Sequence, residues 1–173
     1  MLSQPAVLAF LPLYARHLGI SNVGWFYVVA GLSDLLTRPL FGRAGDRVGR
    51  GYTIVHGFVA QLIGIALILI RPGLPSILGC AVLFGAGVAV AELSTMALGM
   101  DLANPLRRGA AMATFSLSFQ MGNGIGSVLA GALVTLTGYR GMYAGAAIIL
   151  GCGLALVLAS WPKLARVAPL PAT

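Results

Sequence analysis

Two acidic side chains lie inside apolar runs that are long enough to cross a bilayer, and they are the first candidates for chemistry. Asp34 precedes Gly42 by eight residues and Glu92 precedes Asp101 by nine, so both lie about 12–14 Å along a helix from those positions. A charge at the bilayer centre costs roughly 2.5–3.5 kcal/mol. Each carboxyl group must therefore be paired, protonated or exposed to water, and such groups carry protons or bind solutes.

Arg38 offers Asp34 a partner, because it follows four residues later on the same helical face. One interpretation is a structural Asp34–Arg38 ion pair, and the other is a carboxylate that exchanges a proton or contacts a bound solute. Glu92 has no basic residue near it in the sequence, so desolvation favours its neutral form. A proton carrier and a neutral packing acid both remain open for Glu92.

Three neutral polar side chains also lie in apolar runs. Gln120 and Asn123 are three residues apart and share a helical face, so they either face a central cavity or hydrogen-bond to a neighbouring helix. His56 lies five residues into another run, and a structural role near the interface is favoured over a proton relay.

The sequence shows no pattern typical of an enzyme. It has no nucleophile–base set, phosphate-binding loop or metal-ligand cluster, so we expect no catalysis, no cofactor and no metal. Cys80 and Cys152 are isolated in apolar runs and are predicted to be packing residues rather than a disulfide or a metal site.

Composition sets the environment in which these side chains must lie. The 173 residues are 58% hydrophobic and 9% charged, with a mean hydropathy of +0.94, whereas a soluble domain has about 25% charged residues. This chain is therefore predicted to be an all-α helix bundle in a lipid bilayer. The net charge is +7, and the basic residues that produce it lie mainly in loops between apolar runs. Anionic lipid headgroups are therefore a better expected partner for them than nucleic acid.

The apolar runs predict six membrane spans in a single domain covering residues 1–173, with a polar tail at 162–173. The first run is interrupted by Pro12 and is too short for a full crossing, so we expect it to be truncated. The predicted spans are Ala6–Tyr14, Val23–Phe41, Tyr52–Ile70, Pro75–Met100, Ala110–Leu136 and Met142–Trp161.

A basic, glycine-rich segment, Gly42–Arg50, separates the second and third spans. Positive charge concentrates in cytoplasmic loops, which places this segment inside the cell. Counting crossings from there puts seven Lys and Arg residues on the inner side and three on the outer side. The carboxyl terminus is then cytoplasmic, in a multi-pass protein of the cytoplasmic, or inner, membrane.

Gly42–Arg50 resembles the G-x-L-A-D-R-x-G-R-R signature of the major facilitator superfamily. Ala44, Gly45 and Gly51 depart from the pattern. Further similarity lies in Arg38-Pro39, in Asp101 followed by Arg107-Arg108-Gly109, and in the glycines of the fifth span. The residues that match the signature itself are Gly42, Asp46, Arg47, Gly49 and Arg50.

The resemblance implies a secondary active transporter that moves a small-molecule solute by alternating access. It favours proton-coupled efflux by an antiporter, with the signature acting as a cytoplasmic gate. The chain looks like the carboxy-terminal six-helix half of that fold, so an amino-terminal half or a second chain would face it. The alternative is a non-transporting membrane subunit that binds or regulates a complete transporter.

Overall fold

The computed structural model describes residues 2–20, 22, 24–71 and 73–160, and within these it describes the backbone but not the side chains of residues 42–48. The predicted tail at 162–173 lies outside the described residues. The described ranges form helices joined by short turns, as the sequence predicts. They are α1 (Gln4–Leu8), α2 (Leu11–His17), α3 (Gly24–Val48), α4 (Arg50–Ile70), α5 (Leu74–Leu102), a 3-10 turn (Pro105–Arg107) and α6 (Arg108–Ala159).

Three helical stretches in the described part of the chain are long and apolar enough to cross a membrane: Arg50–Ile70, Leu74–Leu102 and Pro105–Ala159. The last of these holds both the fifth and the sixth predicted spans. Its helical geometry is interrupted at Gly138, which has φ +72°, a backbone conformation that favours glycine. The all-helical membrane architecture is confirmed, and the count of six crossings stays a prediction.

The first predicted span consists of two short helices. Proline lies in the first turn of each, Pro5 in α1 and Pro12 in α2, where its missing N–H leaves no intrahelical bond unmade. The chain is bent between them at Ala9 and Phe10. This broken segment places the side chains of α1 against the interior of the bundle.

The prediction of a loop over the whole of Gly42–Arg50 is wrong in extent. Helix α3 continues through Val48 and α4 begins at Arg50, so Gly49 alone separates the two helices. Gly49 has φ +99°, a conformation that side-chain-bearing residues rarely adopt. One glycine therefore makes the reversal, and the glycines at 42 and 45 are tolerated inside a helix.

Each of the longer helices, and also α2, contributes a large side chain to the core. The buried set includes Leu11 of α2, Phe26 of α3, Ile65 of α4, Phe84 of α5 and Tyr143 of α6. Tyr143 packs edge-on against Tyr14, with ring centroids 5.5 Å apart. These contacts hold the helices around a shared interior on which the candidate site depends.

Two glycines of α5 allow its backbone to contact the backbones of two neighbouring helices, α3 and α4. A Cβ on Gly85 would lie 2.7 Å from the carbonyl oxygen of Ala30 in α3, and one on Gly87 would lie 2.6 Å from that of Gly57 in α4. Both distances are too short for a methyl group. Small residues at such crossings permit backbone contact between membrane helices, so α5 is fixed between α3 and α4.

Gly87→Ala is expected to destabilise the bundle by about 1–3 kcal/mol, the usual cost of overpacking. Gly99→Ala is the matched control on the same helix, because nothing lies within 4 Å of its added Cβ. In thermal unfolding in detergent, the melting temperature should fall clearly for Gly87→Ala and stay unchanged for Gly99→Ala. Equal melting temperatures for the two variants would contradict the backbone contact.

Candidate functional site

A cavity of about 570 Å³ lies between α1, α3, α5 and α6. Most of its wall is apolar, and several aromatic rings contribute to it. Its polar and charged lining comes from four different helices, so it depends on the assembled bundle. The polar residues are Gln4, Asp34, Arg38, Glu92 and Asn123, and the aromatic residues are Tyr27, Phe84 and Phe119.

Arg38 joins the two acids that the sequence singles out. Its Nε donates to Oδ2 of Asp34 at 3.1 Å, within one turn of α3. Its Nη2 lies 3.9 Å from Oε2 of Glu92 on α5. We call Asp34, Arg38 and Glu92 the charge cluster.

The close crossing of α3 and α5 explains why these side chains meet. Arg38 lies eight residues beyond Ala30, and Glu92 lies seven residues beyond Gly85. Both are therefore about two helical turns from the point of backbone contact. Since α3 and α5 run in the same direction and are in backbone contact at Ala30 and Gly85, the two side chains reach the same level of the cavity.

The charge cluster is incompletely neutralised. It contains two carboxyl groups and one guanidinium, and the shorter contact belongs to Asp34. Glu92 has only the longer contact, beyond hydrogen-bonding distance. The side chains of Glu92 and Asp34 are 31% and 34% exposed, so the two carboxyl groups differ in their distance from Arg38 rather than in their exposure.

The two polar residues of the fifth predicted span lie in different environments. Asn123 lines the cavity, and Gln120 is exposed and lies outside it. Among the described residues, neither side chain hydrogen-bonds to a neighbouring helix. The cavity alternative therefore applies to Asn123.

Sequence reasoning missed several residues of the cavity. It did not predict the Arg38–Glu92 contact, although the similar depth of the two acids was a usable signal. It also missed Gln4, because the first apolar run is short and interrupted by proline. It did not identify Tyr27 either, whose hydroxyl donates to the carbonyl oxygen of Leu8 at 2.7 Å and which lines the cavity.

The signature segment is described only in part. The backbone of Gly42, Asp46 and Arg47 lies in α3, the side chains of Asp46 and Arg47 are outside the described part of the structure, and Gly49 forms the turn. The Nε of Arg50 lies 2.8 Å from Oδ2 of Asp101. This ion pair joins the beginning of α4 to the end of α5.

Asp101 does not pair with the two arginines, Arg107 and Arg108, that follow it in the sequence. Both arginines are exposed, and neither forms an ion pair with Asp101 in the described part of the chain. An extended residue, Ala103, and the 3-10 turn at Pro105–Arg107 follow α5, and Asp101 pairs with Arg50 of α4 instead.

Breaking the Arg50–Asp101 pair is expected to cost up to about 1 kcal/mol, because both side chains are partly exposed. Arg50→Ala and Asp101→Ala should lower the melting temperature by similar amounts, and the double variant should add little. Arg107→Ala is the control and should have no effect. If the decrease in melting temperature of the double variant equals the sum of the two single decreases, the two side chains do not interact.

The structure indicates a local, intrahelical contact for His56 and a packing role for Cys80. The Nδ1 of His56 donates to the carbonyl oxygen of Tyr52 at 2.8 Å, which fits the structural role. Cys80 is buried and Cys152 is exposed, and both are free thiols. Among the described residues, no group of three or more His, Cys, Asp or Glu side chains could hold a metal ion.

Comparisons with known proteins give the family. The sequence profile of the Major Facilitator Superfamily matches residues 1–172. Human solute carrier family 67 member A1 is 30% identical over 138 residues, which cover 76% of this chain and 32% of that protein. A multi-drug resistance efflux pump PmrA homologue of Lactococcus lactis is 28% identical over 156 residues, covering 87% of this chain and 37% of that protein.

A solved structure shares the fold. The peptide transporter POT in complex with alafosfalin superposes on 99% of this chain with a TM-score of 0.82, at 19% identity and over 39% of its own length. This chain spans about a third of the length of the curated relatives it matches. Because the profile covers almost every residue and the fold agrees, the chain belongs to the major facilitator superfamily.

Proposed function

We propose that this chain forms one half of a secondary active transporter that exports a small solute in exchange for protons. The observation that carries this proposal is the charge cluster in the wall of a largely apolar cavity. Asp34 and Glu92 compete for Arg38, so a change in the charge of one carboxyl group alters the pairing of the other. The relatives are named as a solute carrier and an efflux pump, which supports transport rather than catalysis.

Antiport follows from competition at Glu92. When Glu92 binds a proton, Arg38 neutralises Asp34 and the cavity has no net charge from the cluster. When Glu92 is ionised, the cluster carries a net charge of −1, which a cationic group on a solute can balance. Solute binding and proton binding then exclude each other, as exchange transport requires.

The cavity chemistry favours a small amphipathic cation as the solute. Aromatic rings of Tyr27, Phe84 and Phe119 line it, and such rings attract cations as well as apolar groups. The charge cluster provides the counter-charge. The name of the Lactococcus lactis relative, a multi-drug resistance efflux pump, supports a solute of this kind.

The cavity is half of the proposed transport site. In this family substrate lies between two six-helix halves near the bilayer midplane. We infer that an amino-terminal half or a second chain supplies the facing wall. The complete transporter, below, means this chain together with that facing half.

The signature segment is proposed as the gate on the cytoplasmic side. Gly49 gives a tight reversal, and the Arg50–Asp101 pair fixes the adjacent ends of α4 and α5. Asp46 and Arg47 are proposed to contact the facing half while the gate is closed. The excess of basic residues on this side supports a cytoplasmic position in the inner membrane.

A matched pair of variants tests whether the cavity binds solute. Asn123→Ala removes a polar group from the cavity, and Gln120→Ala removes a similar amide one turn away and outside it. With the complete transporter in liposomes under a pH gradient, ethidium is the probe. Asn123→Ala should raise the half-saturating ethidium concentration up to about tenfold, the effect of one lost hydrogen bond. Gln120→Ala should leave it unchanged, and equal effects would contradict the site.

A further inference from the structure

A second, smaller cavity lies on the other side of Glu92. Its volume is about 310 Å³, and residues of α1, α4, α5 and α6 line it. Gln4, Val88 and Glu92 line both this cavity and the larger one. These three side chains therefore form the wall between the two spaces, and Glu92 is the ionisable member of that wall.

The smaller cavity, here called the side chamber, contains polar groups that packing alone does not require. Gln61 is buried, and its Nε2 donates to the carbonyl oxygen of Gly57 at 3.3 Å. Thr95 donates to the carbonyl oxygen of Ala91 at 2.6 Å. Each side chain keeps an oxygen that can accept a further hydrogen bond.

The positions of these groups follow from helix geometry. Thr95 lies three residues beyond Glu92 and is its neighbour on the surface of α5. Gln61 faces the same helix from α4, since a Cβ on Gly87 would lie 2.9 Å from Cγ of Gln61. The backbone contact between α4 and α5 thus fixes both polar groups beside Glu92.

The side chamber can hold water. A water molecule occupies about 30 Å³ in the liquid and needs two to four polar partners when buried. Gln4, Gln61, Glu92 and Thr95 provide such partners, and the volume accommodates several molecules. The remaining wall, which includes Phe58 and Leu150, is apolar apart from the hydroxyl group of Ser3 and contains no other titratable side chain.

Within the described part of the chain, the charged groups that face Glu92 come from α3. Arg38 contacts it, and Asp34 lies behind Arg38. The residues of α1, α4 and α6 that line the two cavities include no titratable group. A proton that enters the side chamber therefore has Glu92 as its acceptor.

We propose that the side chamber is a hydrated route by which protons reach Glu92 without passing through the solute cavity, with Gln61 and Thr95 as the residues that hold its water. A proton passes from a hydronium ion to a carboxylate oxygen of Glu92, leaving neutral water, and returns by the reverse step. Solute and proton thus approach opposite sides of one carboxyl group.

Cysteine labelling tests the route without reference to transport. In the complete transporter carrying Cys152→Ala, a small cationic methanethiosulfonate reagent is applied to Thr95→Cys. The larger cavity is then filled by Gly31→Trp, since nothing lies within 4 Å of a Cβ at Gly31. Labelling of Thr95→Cys should persist when the larger cavity is filled.

Leu8→Cys is the control, because Leu8 lines the larger cavity only and lies next to Tyr27. Its labelling should be lost in the Gly31→Trp background. Absence of labelling at Thr95→Cys, or its loss together with that of Leu8→Cys, would overturn the separate route.

A transport measurement addresses the function of the chamber, and here the inference rests on the proposed function. Gln61→Leu and Thr95→Val should each reduce proton-driven ethidium efflux about fivefold, equivalent to roughly 1 kcal/mol of activation free energy. The half-saturating ethidium concentration should not change. Thr95→Ser keeps the hydroxyl group and should retain the rate, which a purely structural role would not require.

Glu92→Gln in the same assay distinguishes failure of the side-chamber proposal from failure of the proposed function. If Glu92→Gln abolishes proton-driven efflux while Gln61→Leu and Thr95→Val do not reduce it, the side chamber is refuted and the proposed function stands. If Glu92→Gln leaves proton-driven efflux intact, the proposed coupling is refuted, and the labelling result alone decides whether water reaches Glu92 separately.

Discussion

Glu92→Gln is expected to reduce proton-driven efflux of ethidium by about a hundredfold, the lower end of the range for a positioned proton-transfer group. Glutamine keeps the shape of the side chain but cannot ionise, so the cluster is held in its neutral arrangement. Exchange of ethidium for ethidium needs no net proton movement and should continue. The measurement compares efflux under a pH gradient with ethidium exchange in the same proteoliposomes.

Asp34→Asn provides the matched comparison for Glu92→Gln. Asp34 has the 3.1 Å contact with Arg38, whereas Glu92 has the 3.9 Å contact. Removing the charge of Asp34 releases Arg38 to pair with Glu92 and should weaken ethidium binding as well as coupling. If Glu92→Gln and Asp34→Asn lower both kinds of transport equally, the separate roles assigned to the two acids are wrong.

Arg38→Ala is expected to destabilise the bundle and to abolish transport. Removing one partner from a buried ion pair costs about 3–5 kcal/mol. The side chains here are 31–45% exposed, so water reduces that loss to about 1–3 kcal/mol. Thermal unfolding and ethidium efflux are the two measurements, and Arg140→Ala, a change at an exposed arginine, is the control.

A second-site change distinguishes charge from packing at Arg38. Arg38→Ala combined with Asp34→Asn removes one positive and one negative charge together. The double variant should recover most of the lost stability but no proton-driven transport. Failure to recover stability would show that the guanidinium acts through packing rather than by neutralising the two carboxyl groups.

Much of the fold could be predicted because a bilayer restricts the possible structures. Apolar runs longer than about 20 residues specify helices, and α4 and α5 begin and end close to the predicted spans. The extent of α3 was harder to predict. A glycine-rich basic segment resembles a loop in composition, yet one glycine with positive φ, Gly49, is sufficient to reverse the chain.

Less of the site could be predicted, because its contacts join helices that are far apart in the sequence. The Asp34–Arg38 pair lies within one turn and follows from sequence spacing. The Arg38–Glu92 contact depends on the backbone approach at Gly85, which no local pattern reveals. Gln4 and Gln61 were likewise hidden, since nothing near them in the sequence distinguishes a residue that lines a cavity from one that packs.

Proton release on solute binding tests the central claim most directly, namely that solute and proton compete at Glu92. Ethidium is added to the complete transporter in weakly buffered detergent solution, and the change in pH is followed. The proposed competition predicts acidification for the unmodified protein and none for Glu92→Gln. Equal acidification by the two proteins would contradict it.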